Sequence, residues 1–120
     1  MTRKQETFGK MLREARIAKG FSLRKFAELV GISPTYLSLV EQGKVAKPPT
    51  AERVLRMAEL LEESSDEWIA KADRVPEDLQ EIIQQQPTEI PELLREARGL
   101  TAEQLRKLTK QARKLKDKDM

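Results

Sequence analysis

The 120-residue chain contains no cysteine and no histidine. Their absence excludes disulfide bonds, thiolate nucleophiles, imidazole bases and the usual zinc sites, because cysteine and histidine are the main protein ligands of zinc. No Gly-rich phosphate loop is present, and the carboxylates are distributed as charges on helix surfaces. We therefore predict that the protein is not an enzyme and that it binds no metal and no cofactor.

Long apolar runs are also missing from the chain. No stretch approaches the ~20 apolar residues of a membrane-spanning helix. The N-terminal sequence MTRKQETFGK lacks the apolar segment of a signal peptide. We therefore expect a cytoplasmic protein that has no membrane partner.

The charges are divided unevenly along the sequence. Residues 1–50 hold 10 Lys and Arg against 4 Asp and Glu, a balance of +6, whereas residues 51–103 hold 6 against 14, a balance of −8. The remaining residues, 104–120, hold 7 against 2, a balance of +5. A basic N-terminal half suits a phosphate backbone, and an acidic segment should point away from it. For the basic C-terminal end we favour a solvated helix face and tail, and a direct contact with DNA is the minor alternative.

Residues 21–43, FSLRKFAELVGISPTYLSLVEQG, contain two short helical patterns that meet at Gly31. Ser22 is placed to cap the first helix, and apolar residues then recur at three- and four-residue spacing. Gly31 suits the left-handed backbone that ends a helix. Ser33 and Pro34 open the second helix, and the last glycine of the stretch ends it. The pattern predicts a helix-turn-helix, a motif that fits the major groove of DNA.

The second helix of this motif has an outward face without charge. Thr35, Ser38, Leu39 and Gln42 fall on that face at spacings of three, four and seven residues, opposite Leu37. A surface helix usually carries Lys and Glu, so an uncharged face flanked by cations indicates a surface for base edges. The alternative is a weakly amphipathic surface helix.

At these residues the chain resembles the Xre family of bacterial and phage regulators, which includes the lambdoid repressors, Cro proteins and restriction-modification controller proteins. The resemblance spans about residues 8–70, and the segment SPTYLSLVEQG, residues 33–43, is its most specific part. It implies an all-α fold with a five-helix lambda-repressor-like DNA-binding domain. In that fold the third helix lies in the major groove and the second crosses the phosphate backbone.

Carried over by position, the resemblance assigns two kinds of DNA contact. Base-reading positions are Pro34, Thr35, Tyr36, Ser38 and Leu39. Phosphate-contacting positions are Ser22, Leu23, Arg24, Lys25, Ser33, Gln42, Lys44 and Lys47. Many relatives have a glutamine or arginine where this chain has Pro34 or Leu39. Base reading would therefore rest on Thr35 and Tyr36, with apolar contacts to thymine methyl groups.

The family also often pairs an arginine in the first helix with a glutamate near the end of the third. Arg16 and Glu41 occupy these two places. The resemblance thus implies a partly buried, structural ion pair, and the alternative is two independent surface charges. A double-mutant cycle separates the two interpretations, since only a pair gives a coupling energy.

The sequence predicts two domains. We place a helix-turn-helix DNA-binding domain in residues 1–72, starting with a short basic arm in residues 1–7. A smaller helical module with a basic tail follows in residues 73–120, because the proline at position 76 restricts the residue before it and an acidic first helical turn follows.

The C-terminal module contains three short amphipathic helical patterns, the last opening with a Thr101-x-x-Gln104 capping box. About 45 residues offer too little apolar surface for a confident independent fold, so we predict a dimerisation and regulatory module. The apolar residues assigned to dimerisation are Leu93, Leu94, Leu105, Leu108, Ala112 and Leu115. Intramolecular packing of the last four is the alternative.

The leading functional hypothesis is a sequence-specific transcriptional repressor of its own operon that binds palindromic double-stranded DNA as a homodimer. Residues 74–105 also resemble the tails of short Xre regulators encoded beside ImmA/IrrE-type metallopeptidases, including those of antiphage defence operons. This second resemblance implies that a partner metallopeptidase relieves repression by cutting the C-terminal module. An antitoxin that neutralises a toxin through its C-terminal helices is the main alternative, and a helical adaptor without DNA binding is a third.

Overall fold

The computed structural model describes residues 3–118, leaving out the side chains of Arg3, Lys4 and Glu6. This part of the chain is all-helical, which confirms the predicted fold class. None of its helices is long and apolar enough to cross a membrane. The helices are α1 Arg3–Ala18, α2 Leu23–Val30, α3 Pro34–Glu41, α4 Ala51–Leu61, α5 Ser65–Lys71, α6 Glu77–Gln85, α7 Glu89–Glu96 and α8 Ala102–Lys118.

The chain forms two compact units, Met1–Gln80 and Glu81–Met120. The core of the first unit is built by apolar residues of α1 to α5, which include the fully buried Leu12, Phe26 and Met57. The ring of Trp68 packs edge-on against that of Phe8, with ring centroids 5.8 Å apart and an angle of 80° between the planes. Trp68 is thus a reporter of the folded core.

Helix α1 contains most of the segment predicted as an N-terminal arm. Because α1 begins at Arg3, residues 3–7 are helical, while residues 1 and 2 lie outside the described part of the chain. Gly9, on the same helix, faces α3 at very short distance. A Cβ atom at this position would lie 2.4 Å from the carbonyl oxygen of Val40 and 2.6 Å from that of Glu41. The missing side chain therefore sets how closely α1 and α3 pack.

The helix-turn-helix is capped as the sequence predicts. The Ser22 hydroxyl accepts a hydrogen bond from the Lys25 amide at 3.0 Å, and the Ser33 hydroxyl accepts one from the Tyr36 amide at 3.0 Å. Between them Gly31 takes the left-handed conformation, with φ of 86°, and ends α2. These caps satisfy amide groups that have no partner within the helices.

Arg74, just after α5, forms hydrogen bonds with the loop between α3 and α4. Its Nη2 donates to the Pro48 carbonyl at 2.7 Å, and its Nε donates to the Pro49 carbonyl at 3.0 Å. These bonds hold the segment after residue 72 against the loop before α4, and the first unit extends to Gln80.

The second unit has no fully buried side chain among residues 81–118. Ile83, Ile90, Pro91 and Ala97 are half-buried, and the other side chains of this range are exposed. Helix α8 opens with the predicted capping box. The Gln104 backbone N–H donates to the Thr101 hydroxyl at 3.1 Å, and the Thr101 backbone N–H donates to the Gln104 side-chain oxygen at 2.9 Å. All six residues assigned to dimerisation are exposed in the single chain, with Leu115 at 65%.

Candidate nucleic-acid interface

Helix α3 buries one face and exposes the other. Leu37 and Val40 lie in the core of the first unit, which fixes the rotation of the helix about its axis. Pro34, Thr35 and Leu39 are exposed on the opposite side, as the helical spacing predicts. The exposed surface is therefore uncharged, with one hydroxyl, one apolar side chain and one proline ring.

The remaining two base-reading candidates on α3 are less accessible. Tyr36 is half-buried and packs against the core, so only part of its surface can meet DNA. Ser38 is also half-buried, and its hydroxyl accepts a hydrogen bond from Nε2 of Gln42 at 2.9 Å. This bond orients the Gln42 amide along the helix. Nε2 has a second hydrogen and the Ser38 hydroxyl has one, so each can still donate to an acceptor.

An open groove beside α3 brings together residues from three helices and from the segment after α3. It is lined by Leu23, Ser38, Gln42 and Lys44, which the sequence assigned to DNA contact, together with Arg13, which it did not. Arg13 lies three residues before Arg16 on α1, a spacing that puts both on one side of the helix and could have identified it. Since Arg13 and Lys44 are exposed cations, the groove suits the oxygens of a phosphate group.

Arg16 and Glu41 also line this groove. The Arg16 Nε donates to Glu41 Oε2 at 2.7 Å and its Nη2 donates to Oε1 at 2.9 Å, a bidentate pair. The Arg16 Nη1 also donates to the Phe21 carbonyl at 2.8 Å. Both residues are only 8% exposed. The pair thus joins α1, the turn before α2 and the end of α3, and it neutralises the carboxylate nearest the groove.

The other candidates for phosphate contact lie outside the lining of this groove. Arg24 and Lys25 are exposed on α2, and Lys47 is exposed in the loop after α3. The oxygens of Ser22 and Ser33 are used as helix caps, but each hydroxyl keeps its hydrogen as a donor.

The helical architecture and this site define a helix-turn-helix domain. Residues 12–68 match the helix-turn-helix family HTH_3. The clp gene regulator ClgR from C. glutamicum is 32% identical over 61% of this chain and 92% of that chain, with a TM-score of 0.50. The restriction-modification controller protein C.AhdI from Aeromonas hydrophila is 33% identical over 53% of this chain and 94% of that chain, with a TM-score of 0.48.

A further similar structure is that of SinR, the master regulator for biofilm formation, solved in complex with DNA. It is 26% identical over 52% of this chain and 97% of that chain, with a TM-score of 0.47. A comparison with curated proteins found no significant match. The chain belongs to the HTH_3 helix-turn-helix family, which confirms the regulator family expected from its sequence.

Proposed function

We propose that this protein is a DNA-binding transcriptional repressor, without enzymatic activity, that places α3 in the major groove of duplex DNA. The observation that carries the proposal is the uncharged exposed face of α3 beside a groove lined by Arg13 and Lys44. Cations position a protein on the phosphate backbone, and uncharged side chains contact base edges. Membership of the HTH_3 family and similarity to the gene regulator ClgR support this function. We place this regulator in the cytoplasm, as expected from its sequence.

Thr35 provides the test of base reading. Replacing it with alanine should weaken binding to the operator by about 1 to 3 kcal/mol, the range of a base contact, and leave binding to random duplex unchanged. The matched control is Lys47→Ala, which should weaken binding to both duplexes equally. It should also lower the slope of log affinity against log salt concentration by about 0.9, the value for one phosphate contact. Anisotropy titrations on both duplexes measure these effects. An equal loss on both duplexes for Thr35→Ala would assign Thr35 to phosphate contact instead.

We further propose that the protein represses its own operon as a homodimer on a palindromic operator. A symmetric dimer places two recognition helices about one DNA turn apart, near 34 Å. The apolar residues of α8 that could form the interface are exposed in the single chain, as are Leu93 and Leu94 of α7. Burial of these side chains against a second copy would remove them from water, which favours association.

Leu108→Glu tests the dimer, because it puts a charge in the middle of the apolar residues of α8. We expect this variant to sediment as a monomer, to keep the Trp68 environment of the first unit and to lose tight operator binding. Gln111→Glu adds the same charge beside these residues and should leave the dimer intact. A sedimentation mass and an affinity unchanged by Leu108→Glu would contradict the assigned interface.

We also propose that a partner metallopeptidase, encoded with this protein in an antiphage defence operon, cuts the chain between Pro91 and Leu100. The cut would relieve repression. The proposal rests on the sequence resemblance of residues 74–105. It is supported by the exposed connection between α7 and α8, in which Gly99 has φ of 89°. Incubation of the two purified proteins with metal, followed by mass spectrometry, should show a cut in this range. An uncut chain would contradict this route.

The exposed apolar faces of residues 81–118 also favour a second candidate, an antitoxin whose C-terminal helices cover a toxin. Both candidates bind DNA, so operator binding does not separate them. Co-expression with the product of the neighbouring gene separates the two candidates. A stable stoichiometric complex indicates the antitoxin, and a shortened chain indicates the protease-controlled repressor.

A further inference from the structure

Helix α8 has five of its seven cations on one face. At about 100° per residue, its apolar residues Leu105, Leu108, Ala112 and Leu115 fall within an arc of about 80°, which we call the apolar stripe. The basic face of α8 lies at least about 120° from the centre of that stripe. Its members are all exposed and are Arg106, Lys107, Lys110, Arg113 and Lys114.

The side chains that flank the apolar stripe are mostly neutral. Gln104 and Gln111 border it on one side, and Thr109 and the single cation Lys116 on the other. Covering the stripe with a second copy therefore leaves the basic face exposed, and the charges of that face take no part in the pairing. The dimer proposed above gives no reason for five cations there.

The basic face also departs from the usual pattern of a solvated helix. Lys110 lies four residues from both Arg106 and Lys114, and such like-charge pairs destabilise a helix. Helix α4, in contrast, exposes Glu52 and Glu59 together with two arginines. Within the described residues none of the five cations forms an ion pair. Glu103 and Asp117 lie on the same face near its two ends, but residues 104–116 hold no carboxylate. The middle of the face is therefore exposed and carries one sign of charge, which fits a polyanion.

We infer that the basic face of α8 binds the phosphate backbone of duplex DNA, as a second contact that is independent of base sequence. The inference rests on the proposed function, because DNA bound by α3 supplies phosphates at high local concentration to the rest of the same protein. The contact adds salt-dependent affinity equally to operator and random duplexes. It adds nothing to the discrimination between them.

Two double variants of the full chain test this inference. Lys110→Gln/Lys114→Gln removes two charges from the basic face, and Lys116→Gln/Lys118→Gln removes two from the rest of the same helix. The first should lower the slope of log affinity against log salt concentration by about 1.8, at about 0.9 per phosphate contact. When salt rises from 50 to 200 mM, both proteins lose affinity, and the factor lost by the wild type should be about 12 times the factor lost by this variant. The second should keep the wild-type slope.

The measurements use a labelled duplex from the region upstream of the gene and a scrambled duplex, after circular dichroism and sedimentation show that both variants keep helicity and mass. Equal slopes for the wild type and the Lys110/Lys114 variant would overturn the inference while leaving the proposed function intact. Wild-type protein that binds neither duplex would overturn both. Binding of the basic face to phosphatidylserine vesicles, with no change in the DNA slope, would assign it to lipid and overturn the DNA contact.

Discussion

Replacing Arg16 with methionine should lower the free energy of unfolding by about 3 to 5 kcal/mol. The substitution leaves the Glu41 carboxylate with no cation in a site where that residue is only 8% exposed. It also removes the donor to the Phe21 carbonyl, so three hydrogen bonds are lost together. Such a loss is a large fraction of the roughly 5 to 15 kcal/mol by which a domain is stable. Urea unfolding followed by the fluorescence of Trp68 measures it.

Two further variants make this result specific to the buried pair. Arg16→Met/Glu41→Leu should be clearly more stable than Arg16→Met alone, because no isolated charge remains in the core. Lys19→Met should change stability by no more than about 1 kcal/mol, since Lys19 pairs at 3.3 Å with a Glu62 side chain that is 79% exposed. A double variant that is no more stable than Arg16→Met would show that the two side chains act independently.

Gly9→Ala should destabilise the protein by about 2 to 3 kcal/mol, although alanine is the better helix former by about 1 kcal/mol. The added methyl group would meet two backbone carbonyl oxygens of α3, and neither can move away as a flexible side chain could. Helices α1 and α3 must separate, which also shifts the exposed face of α3. We therefore expect weaker operator binding together with a lower midpoint in urea.

Lys10→Ala is the control for the Gly9 substitution, because Lys10 is the exposed neighbour on the same helix. It should change the unfolding midpoint little. Should Gly9→Ala prove as stable as the wild type and bind the operator equally well, the close contact between α1 and α3 would not be the feature that positions the recognition helix.

Much of the helix-turn-helix could be predicted because its signals are local. Ser22 and Ser33 bond to amides three residues ahead, and Gly31 supplies a backbone conformation that depends on its own residue type. Such features depend only on residues that are close together in the sequence. The exposure of Thr35 follows equally from helical spacing, once Leu37 is known to be buried.

The features that could not be predicted depend on residues far apart in the chain. Arg74 donates hydrogen bonds to two carbonyls of the loop before α4, and the first unit extends to Gln80. Gly9 has no turn or left-handed conformation to mark it, and only the approach of α3 explains it. Arg13 lines the groove because α1 packs against α3. The periodicity of a single sequence predicts where helices form and which face is buried. These contacts also depend on how the helices pack against one another, which the periodicity does not show.

Specific binding of a duplex through α3 is the property on which the proposed repressor function depends. Its most direct test is fluorescence anisotropy of purified wild-type protein with a labelled duplex from the region upstream of its gene and with a scrambled duplex, across a salt series. We predict much tighter binding to the upstream duplex and an affinity for each that falls steeply as salt rises. Equal and weak binding to both duplexes would contradict the account and favour a helical adaptor that does not read DNA.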